Sequence, residues 1–346
     1  MKPYVLTGAT GFVGSHLAQR LWNDGTSLRL LVRPTSDLTR LPPALYRAVL
    51  DGNPRLTLFE GDLTDPSSLT GLCTDTAGIY HLACAVKGTF DESQASSHVF
   101  EEVNVQGTQN IATAANQAGV RMVHVSSTAA MGAPQVPVVD ESTACDPTAP
   151  YQRSKYDAER RLLDMHRDAD LDVVILRPCL ILGPGKEGGE VLKLFTLVRQ
   201  GIFPAIGDAL QCTKPLVDVR DVAQACVRAM EFGTSGEVYL INSGTDHRLG
   251  EIIEAARRLV GARRATIPLP VAPLRVAALG FEGLARVWSG FNPPLTRHRL
   301  DLYLANRRIS IDKARTELGY EPEHQDVYDM LGMTYVGYVR DGQLSP

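Results

Sequence analysis

The segment Thr7-Gly8-Ala9-Thr10-Gly11-Phe12-Val13-Gly14 constrains this chain more than any other. It follows a short apolar run, Tyr4 to Thr7, and opens a segment with apolar residues at Leu17, Ala18 and Leu21. An apolar run that ends in glycines and continues at helix period is a strand-to-helix turn. Gly8 permits the tight turn, Gly11 lets the backbone approach a pyrophosphate, and Gly14 lets the helix pack closely on the strand. The phosphates then face the helix N-terminus, where free N–H groups and the helix dipole favour negative charge. On this reading Gly8, Thr10, Gly11, Phe12, Val13 and Gly14 cradle a dinucleotide. A glycine triplet alone is a weak signal, and its place at the first turn of a β-α-β series gives it weight.

That series continues along the chain. Apolar runs at Leu28 to Val32, Leu56 to Glu60, Gly78 to His81, Arg121 to Ser126 and Asp172 to Leu176 alternate with helix-period segments. They are rich in Val, Leu and Ile without strict alternation, as strands buried on both faces are. The expected fold is α/β, a doubly wound, mostly parallel Rossmann sheet with a smaller C-terminal substrate lobe. After Arg177 the residues Pro178, Gly183, Pro184, Gly185, Gly188 and Gly189 crowd one stretch and lead the chain out of the core. Residues 1–178 are expected to bind the dinucleotide, with 215–242 returning to that domain, and 179–214 with 243–325 to form the substrate lobe. Ala272 to Trp288 reads as a helix packed on that lobe in preference to a lid or a membrane-surface helix. No pattern is visible after Pro322.

Composition bounds the function classes. With 346 residues, 44% of them hydrophobic and 21% charged, and a net charge of -4, the chain reads as an ordinary soluble protein that does not ask for nucleic acid. It lacks the roughly 18 consecutive apolar residues of a membrane span and the flanks of a signal peptide, so a cytoplasmic location is expected. The six cysteines lie apart with no Cys-x-x-Cys, and no histidine stands beside them at ligand spacing, so neither metal nor disulfide framework is expected.

The end of the second strand selects the dinucleotide, since an acid there accepts from a ribose 2′-hydroxyl while an arginine accommodates a 2′-phosphate. Here Leu28 to Val32 runs into Arg33, with no acid before Asp37. NADP is therefore favoured, with NAD the alternative if Arg33 is only a solvated charge. After the third strand, Gly61-Asp62-Leu63 offers a carboxylate to the adenine amino group, although Asp62 equally fits the N-cap of a helix suggested by Asp65-Pro66.

Tyr151-Gln152-Arg153-Ser154-Lys155 opens a helix-period segment, so Tyr151 and Lys155 share one face. A tyrosine of pKa about 10 is a poor base at neutral pH, and a neighbouring ammonium stabilises its phenolate and makes proton exchange feasible. The fifth strand ends in Ser126-Ser127, where parallel sheets present their ligands; Ser127, with Ser126 as runner-up, is the candidate donor to a substrate oxygen.

With these elements in place the chain resembles the extended short-chain dehydrogenase/reductases of the NAD-dependent epimerase/dehydratase superfamily, from Tyr4 to about Pro322. The matching motifs are Thr7 to Gly14, Gly61-Asp62-Leu63, His81-Leu82-Ala83, Asn104-Val105-Gln106-Gly107-Thr108, Ser126-Ser127, Tyr151 with Lys155, and Arg177-Pro178 followed by Gly183-Pro184. The resemblance implies that Asp62, Leu63, Leu82, Ala83 and Ala85 line the dinucleotide, that Asn104 braces the active-site end, and that Pro178 meets the nicotinamide carboxamide. It also selects Ser127, five residues before Gly132, and implies a homodimer.

The departures bear on substrate. Many nucleotide-sugar enzymes of this family carry Val-Tyr-Gly where this chain has Ala130-Met131-Gly132, and an arginine where it has Lys214. Lysine does not reproduce a bidentate phosphate contact. The chain is more similar to the branch of 3β-hydroxysteroid dehydrogenase-like, dihydroflavonol reductase-like and hopanoid-associated enzymes, a placement supported by Asn292 to Arg297 and Ile309 to Ala314. The expected activity is hydride transfer between a nicotinamide and a secondary alcohol or ketone of a mainly apolar small molecule. The alternatives are a nucleotide-sugar epimerase or dehydratase with tightly held NAD, and a dinucleotide-sensing regulator.

Overall fold

The computed structural model describes residues 2–86, 94–134, 136–264, 266–288, 293 and 295–345. Strands β1 (Tyr4–Thr7), β2 (Leu28–Val32), β3 (Leu56–Glu60), β4 (Gly78–His81), β5 (Met122–Val125), β6 (Val173–Pro178) and β7 (Val238–Ile241) form one sheet in the order β7-β6-β5-β4-β1-β2-β3. Every pairing in it is parallel. The order reverses at β1, which lies between β2 and β4 with Thr7 opposite both Leu31 and His81. In open α/β sheets that switch point, at the carboxyl ends of the strands, is where the ligand crevice forms.

The helices used below are α1 (Phe12–Asn23), α2 (Pro43–Leu50), α3 (Gly107–Ala118), α4 (Pro150–Ala169), α5 (Gly189–Arg199), α6 (Val219–Phe232), α7 (Leu249–Leu259), α8 (Val271–Val287) and α9 (Val327–Arg340). A sheet buried on both faces needs helices on both. Leu17 and Leu21 of α1, Leu45 of α2 and Val222 of α6 cover Leu6, Leu30 and Val123 on one face. Ile111 and Ala115 of α3 and Leu162 of α4 cover Val5, Ile79 and Ile175 on the other. The sheet is doubly wound, as its unalternating apolar strands require.

Two segments depart from the sequence reading. Of the segment 215–242 expected to return to the sheet, α6 packs on one face and β7 joins the edge, but the strand before α6 does not pair with it. Leu216–Asp218 instead pairs in parallel with Leu180–Leu182 as a separate two-stranded unit. Beyond Arg248, where the sequence pattern singles out only the helix from Ala272 to Trp288, Thr266–Leu269 is a strand paired with Phe203–Ile206. Pro204 and Pro268 hide that pair from the pattern, since proline is tolerated only where no ladder bond is needed.

A second apolar cluster joins Val191 and Phe195 of α5, Ile252 and Ile253 of α7, and Met330, Leu331 and Tyr338 of α9. Helix α8 buries Ala278 completely but leaves Val276 69% and Leu284 52% exposed, so its packing on that lobe is partial.

Candidate active site

The glycine turn is built as its residue types demand. Gly8 has φ +74°, and a Cβ there would lie 2.7 Å from the backbone nitrogen of Ala83. A Cβ at Gly14 would lie 2.0 Å from the Gly8 carbonyl oxygen, so the contact between α1 and β1 excludes every side chain. Gly11 caps α1 in extended conformation, and no side chain takes the first-turn N–H groups. Uncapped donors beside a glycine floor fit a pyrophosphate.

The next layer ties β1 to β4. The Thr7 hydroxyl lies 2.8 Å from His81 Nδ1 and accepts from the amides of Leu82 and Ala83 at 3.2 and 3.1 Å. His81 Nε2 lies 3.0 Å from the Thr108 hydroxyl, and the His81 ring stacks on His124 with centroids 5.3 Å apart. Burial, with a smaller contribution from the Lys155 ammonium, holds His81 down to about 3 from its ordinary 6.5. His124 moves the same way for the same causes. Both rings are neutral at pH 7. Unfolded histidines take up a proton below about pH 6.5 and the folded ones refuse it, so stability is full above that pH and falls as pH drops toward 3. By pH 5, His81 alone is expected to cost about 2 kcal/mol. Thermal melts should show a steeper acid limb for wild type than for His81→Gln at matched ionic strength, and equal limbs would refute the buried-histidine account.

Asn104 joins the loop after β4 to α4. Its Oδ1 accepts from the Ala85 amide at 2.7 Å, and its Nδ2 donates to the Ala85 carbonyl and to the Ser154 hydroxyl, both at 3.0 Å. Ser154 in turn donates to the Tyr151 carbonyl at 2.9 Å. The loop after β4 is thereby fastened to the first turn of α4. Asn104 sits in a π-helical turn, Glu101–Gln106, which nothing in its sequence announces.

Helix α4 carries Tyr151 and Lys155. Pro150 occupies its first turn and the Gln152 side chain accepts from the amide of Ala149 at 3.1 Å, which starts the helix one residue before the tyrosine. A buried ion pair that the sequence reading did not single out ties it to the sheet. Arg177 of β6 meets Glu159 at 2.6 Å, with 7% and 1% of the two side chains exposed. Buried fork contacts of this kind are strongly destabilised when one partner is removed.

Tyr151 stacks edge-on to Phe100, centroids 5.7 Å apart. Burial pushes its hydroxyl above the ordinary 10, with Cys84 adding a little. Lys155 is 2% exposed, and its Nζ donates to the Val125 carbonyl at 3.0 Å; no hydrogen bond joins it to Tyr151. The expected depression of the tyrosine by Lys155 is therefore absent from this arrangement, in which burial dominates. Ser127 caps a short turn, Thr128–Met131, by accepting from the Ala129 amide at 3.1 Å. The Ser126 hydroxyl is buried and has no hydrogen-bond partner among the described residues.

At the adenosine end Arg33 is exposed beyond β2, its amide donating to the Ser36 hydroxyl at 2.9 Å. Asp37, the first acid past the strand, accepts from the amide and hydroxyl of Thr39 and caps the turn Leu38–Arg40. Asp62 does not cap the turn at Pro66, because Asp65 does, accepting from the Ser67 amide. Asp62 Oδ1 instead accepts from the amide and hydroxyl of Thr64, both at 2.9 Å. The Leu63 carbonyl accepts from Asn110 at 2.7 Å.

Past Pro178, the last residue of β6, a cavity of about 270 Å³ is lined by Leu180, Leu182, Val191, Phe203, Ile252 and Leu331, with Glu190, Lys214 and Tyr303 among its polar lining. Of the apolar residues between 180 and 203, Leu180, Leu182, Val191, Leu194 and Phe203 line it, whereas Phe195 is in the core and Ile202 is 44% exposed. Lys214 is committed to the chain itself, donating to the carbonyls of Tyr303 and Ala305 at 2.8 and 2.9 Å. All six cysteines are free thiols, and the described residues hold no cluster of metal-ligating side chains. No helix of the described residues is long and apolar enough to cross a membrane.

A glycine cradle at the switch point of a parallel sheet, with a tyrosine and lysine one helical turn apart beside it, defines a Rossmann enzyme of nicotinamide-dependent oxidoreductase type. The chain belongs to the NAD dependent epimerase/dehydratase family, whose model matches residues 4–242. It is 28% identical to a 4-hydroxy-2-methyl-3-oxo-4-farnesyl-3,4-dihydroquinoline-1-oxide ketoreductase of Stigmatella aurantiaca, over 96% of each chain. It is 31% identical to a dTDP-glucose 4,6-dehydratase of Streptomyces antibioticus, over 98% of this chain and 92% of that one. Among solved structures, gox2253 superposes over 100% of both chains with a TM-score of 0.82 at 30% identity.

Proposed function

We propose that this protein is an NADP(H)-dependent reductase or dehydrogenase that interconverts a ketone and a secondary alcohol on a mainly apolar substrate. The cavity beyond Pro178 carries the proposal. Its walls are chiefly aliphatic, and its lysine is spent on backbone carbonyls, so it offers an apolar body a place and a diphosphate little. Residues 179–214 and 243–325 are assigned as the lobe that holds the substrate. A whole-length relative named as a ketoreductase of a farnesylated molecule supports the same reading.

A bound nicotinamide supplies or accepts the hydride. Tyr151 gives the carbonyl oxygen its proton on reduction and recovers it on oxidation. Ser127, its oxygen already accepting from Ala129, directs its proton at the oxygen where charge develops. Lys155 adds a fixed positive charge beneath the site and reaches the nicotinamide ribose once dinucleotide is bound. Pro178 and the residues after β4, Leu82, Ala83 and Ala85, line the cofactor. Preference for NADP rests on Arg33, with Asp37 engaged in capping its own turn.

The second reading, a nucleotide-sugar dehydratase or epimerase, is favoured by the 31% identity to the dTDP-glucose enzyme. One assay separates the two. Purified protein is offered apolar ketones, dTDP-glucose and UDP-glucose with NADPH and NADH side by side. Stoichiometric NADPH consumption on an apolar ketone is expected. Turnover of a nucleotide sugar with no net change in nicotinamide absorbance would replace the proposal with its rival.

A further inference from the structure

The loop between β6 and α5 holds a lysine that the proposed chemistry does not use. Lys186 Nζ lies 5.2 Å from the centre of the Phe12 ring, and Phe12 is the first residue of α1 in the phosphate-binding turn. One turn along that helix, His16 Nε2 lies 2.9 Å from the Pro184 carbonyl oxygen. The residue after Lys186, Glu187, pairs with Arg40 at 2.6 Å, in the segment that follows β2. Residues 183–187 are thus fastened at one point to the turn that takes the phosphates and at another to the connection that follows Arg33. These contacts hold the loop against the first turns of α1.

Lys186 itself is left without a counter-ion. Its Nζ has no hydrogen bond or ion pair among the described residues. Burial holds its ammonium down at about 8, and Glu190 opposes that only in part. A half-buried unpaired cation is costly, and contact with an aromatic ring returns little of the lost hydration. The uncapped amides begin at Phe12, the residue whose ring the lysine approaches, and amides and ammonium alike call for an anion.

We propose that Lys186 is a cofactor-binding residue, its ammonium closing over the pyrophosphate of the dinucleotide held by the Gly8 to Gly14 turn. The proposal rests on reading that turn as a dinucleotide site. Wild type, Lys186→Met and Lys186→Arg are titrated with NADPH and with NADH by nicotinamide fluorescence, and each is melted without ligand. Lys186→Met should bind both dinucleotides about tenfold or more weakly, because the pyrophosphate is common to them, while Lys186→Arg stays within about threefold. The unliganded melting temperature of Lys186→Met should equal or exceed that of wild type, since an unpaired charge has been removed. Unchanged affinity in Lys186→Met overturns the proposal. So does weakened binding accompanied by a lowered unliganded melting temperature, which would mark a structural role. If wild type takes up neither dinucleotide, the reading of the glycine turn fails first and Lys186 with it, an outcome distinct from the other two.

Discussion

Tyr151→Phe is expected to lower turnover by about 10²-fold or more while fold and dinucleotide affinity persist, the usual scale for losing a general acid. The substitution removes one hydroxyl and keeps the ring that packs edge-on against Phe100. The site as built favours a particular direction. Burial holds the hydroxyl above its ordinary 10, so at neutral pH the residue is a neutral acid, ready to give a proton to a carbonyl oxygen. The donor form is present below that pKa. Ketone reduction should therefore stay level from about pH 7 to about 9, whereas alcohol oxidation, which needs the tyrosine to accept a proton, should climb with pH. The check is turnover with protio and deuterio NADPH across that range. If Tyr151→Phe kept near wild-type turnover while a deuteride isotope effect showed chemistry to be rate-limiting, the proton donor would have to be sought elsewhere.

How legible this was in the sequence varies with the physics of each element. Six strands of the sheet were readable as short runs rich in Val, Leu and Ile between helix-period segments, the mark of burial on both faces, although the edge strand Leu56–Glu60 is itself largely exposed. Leu28–Val32 and Leu56–Glu60 fall where the pattern puts them. The glycine turn was readable because its requirement is steric and absolute, as the 2.0 Å approach at Gly14 makes plain. Helix α9 was not, since Gly332 and Gly337 interrupt its period and Gly337 serves a contact with the backbone of Pro184. Its one local signal is Asp326, which accepts from the amides of Tyr328 and Asp329 as an N-cap.

The site divides along the same line. Tyr151 and Lys155 could be named as candidates from their four-residue spacing, and Asn104 only from the resemblance of its motif to the family. Glu159 could not, because its importance lies in meeting Arg177 across 18 residues of chain, and a glutamate on a polar helix is ordinarily a solvated charge. Lys186 sits in a glycine-rich loop whose path depends on contacts to α1 and Arg40. The cavity was only half legible. An apolar residue at 180–203 can line a pocket or fill a core with equal ease, and Leu180 does the first while Phe195 does the second. Part of the motif from Asn292 to Arg297 lies outside the described residues.

Lys155→Met should cost turnover as much as Tyr151→Phe or more, and unlike it should weaken dinucleotide binding. The reason is visible in what the ammonium touches now. Among the described residues its Nζ has a single acceptor, the Val125 carbonyl at 3.0 Å, in a place where only 2% of the residue reaches solvent. A buried ammonium with one neutral partner is under-satisfied, so a ribose hydroxyl offered at the end of β5 gains a strong donor already in position. Bound there, the lysine orients the cofactor and sets a positive charge near Tyr151 that this arrangement alone does not bring to bear on the phenol. Methionine keeps the length and apolar stem of the side chain. The unliganded melting temperature should consequently hold or rise, which separates loss of function from loss of fold. Because the two residues act on one proton transfer, the double variant Tyr151→Phe with Lys155→Met should lose scarcely more turnover than the worse single variant. Turnover, NADPH affinity by fluorescence and the melting temperature of all four proteins decide it. A Lys155→Met enzyme with unchanged NADPH affinity, or a double variant whose losses simply multiply, would mean that lysine and tyrosine work independently and that the coupling proposed for them does not exist.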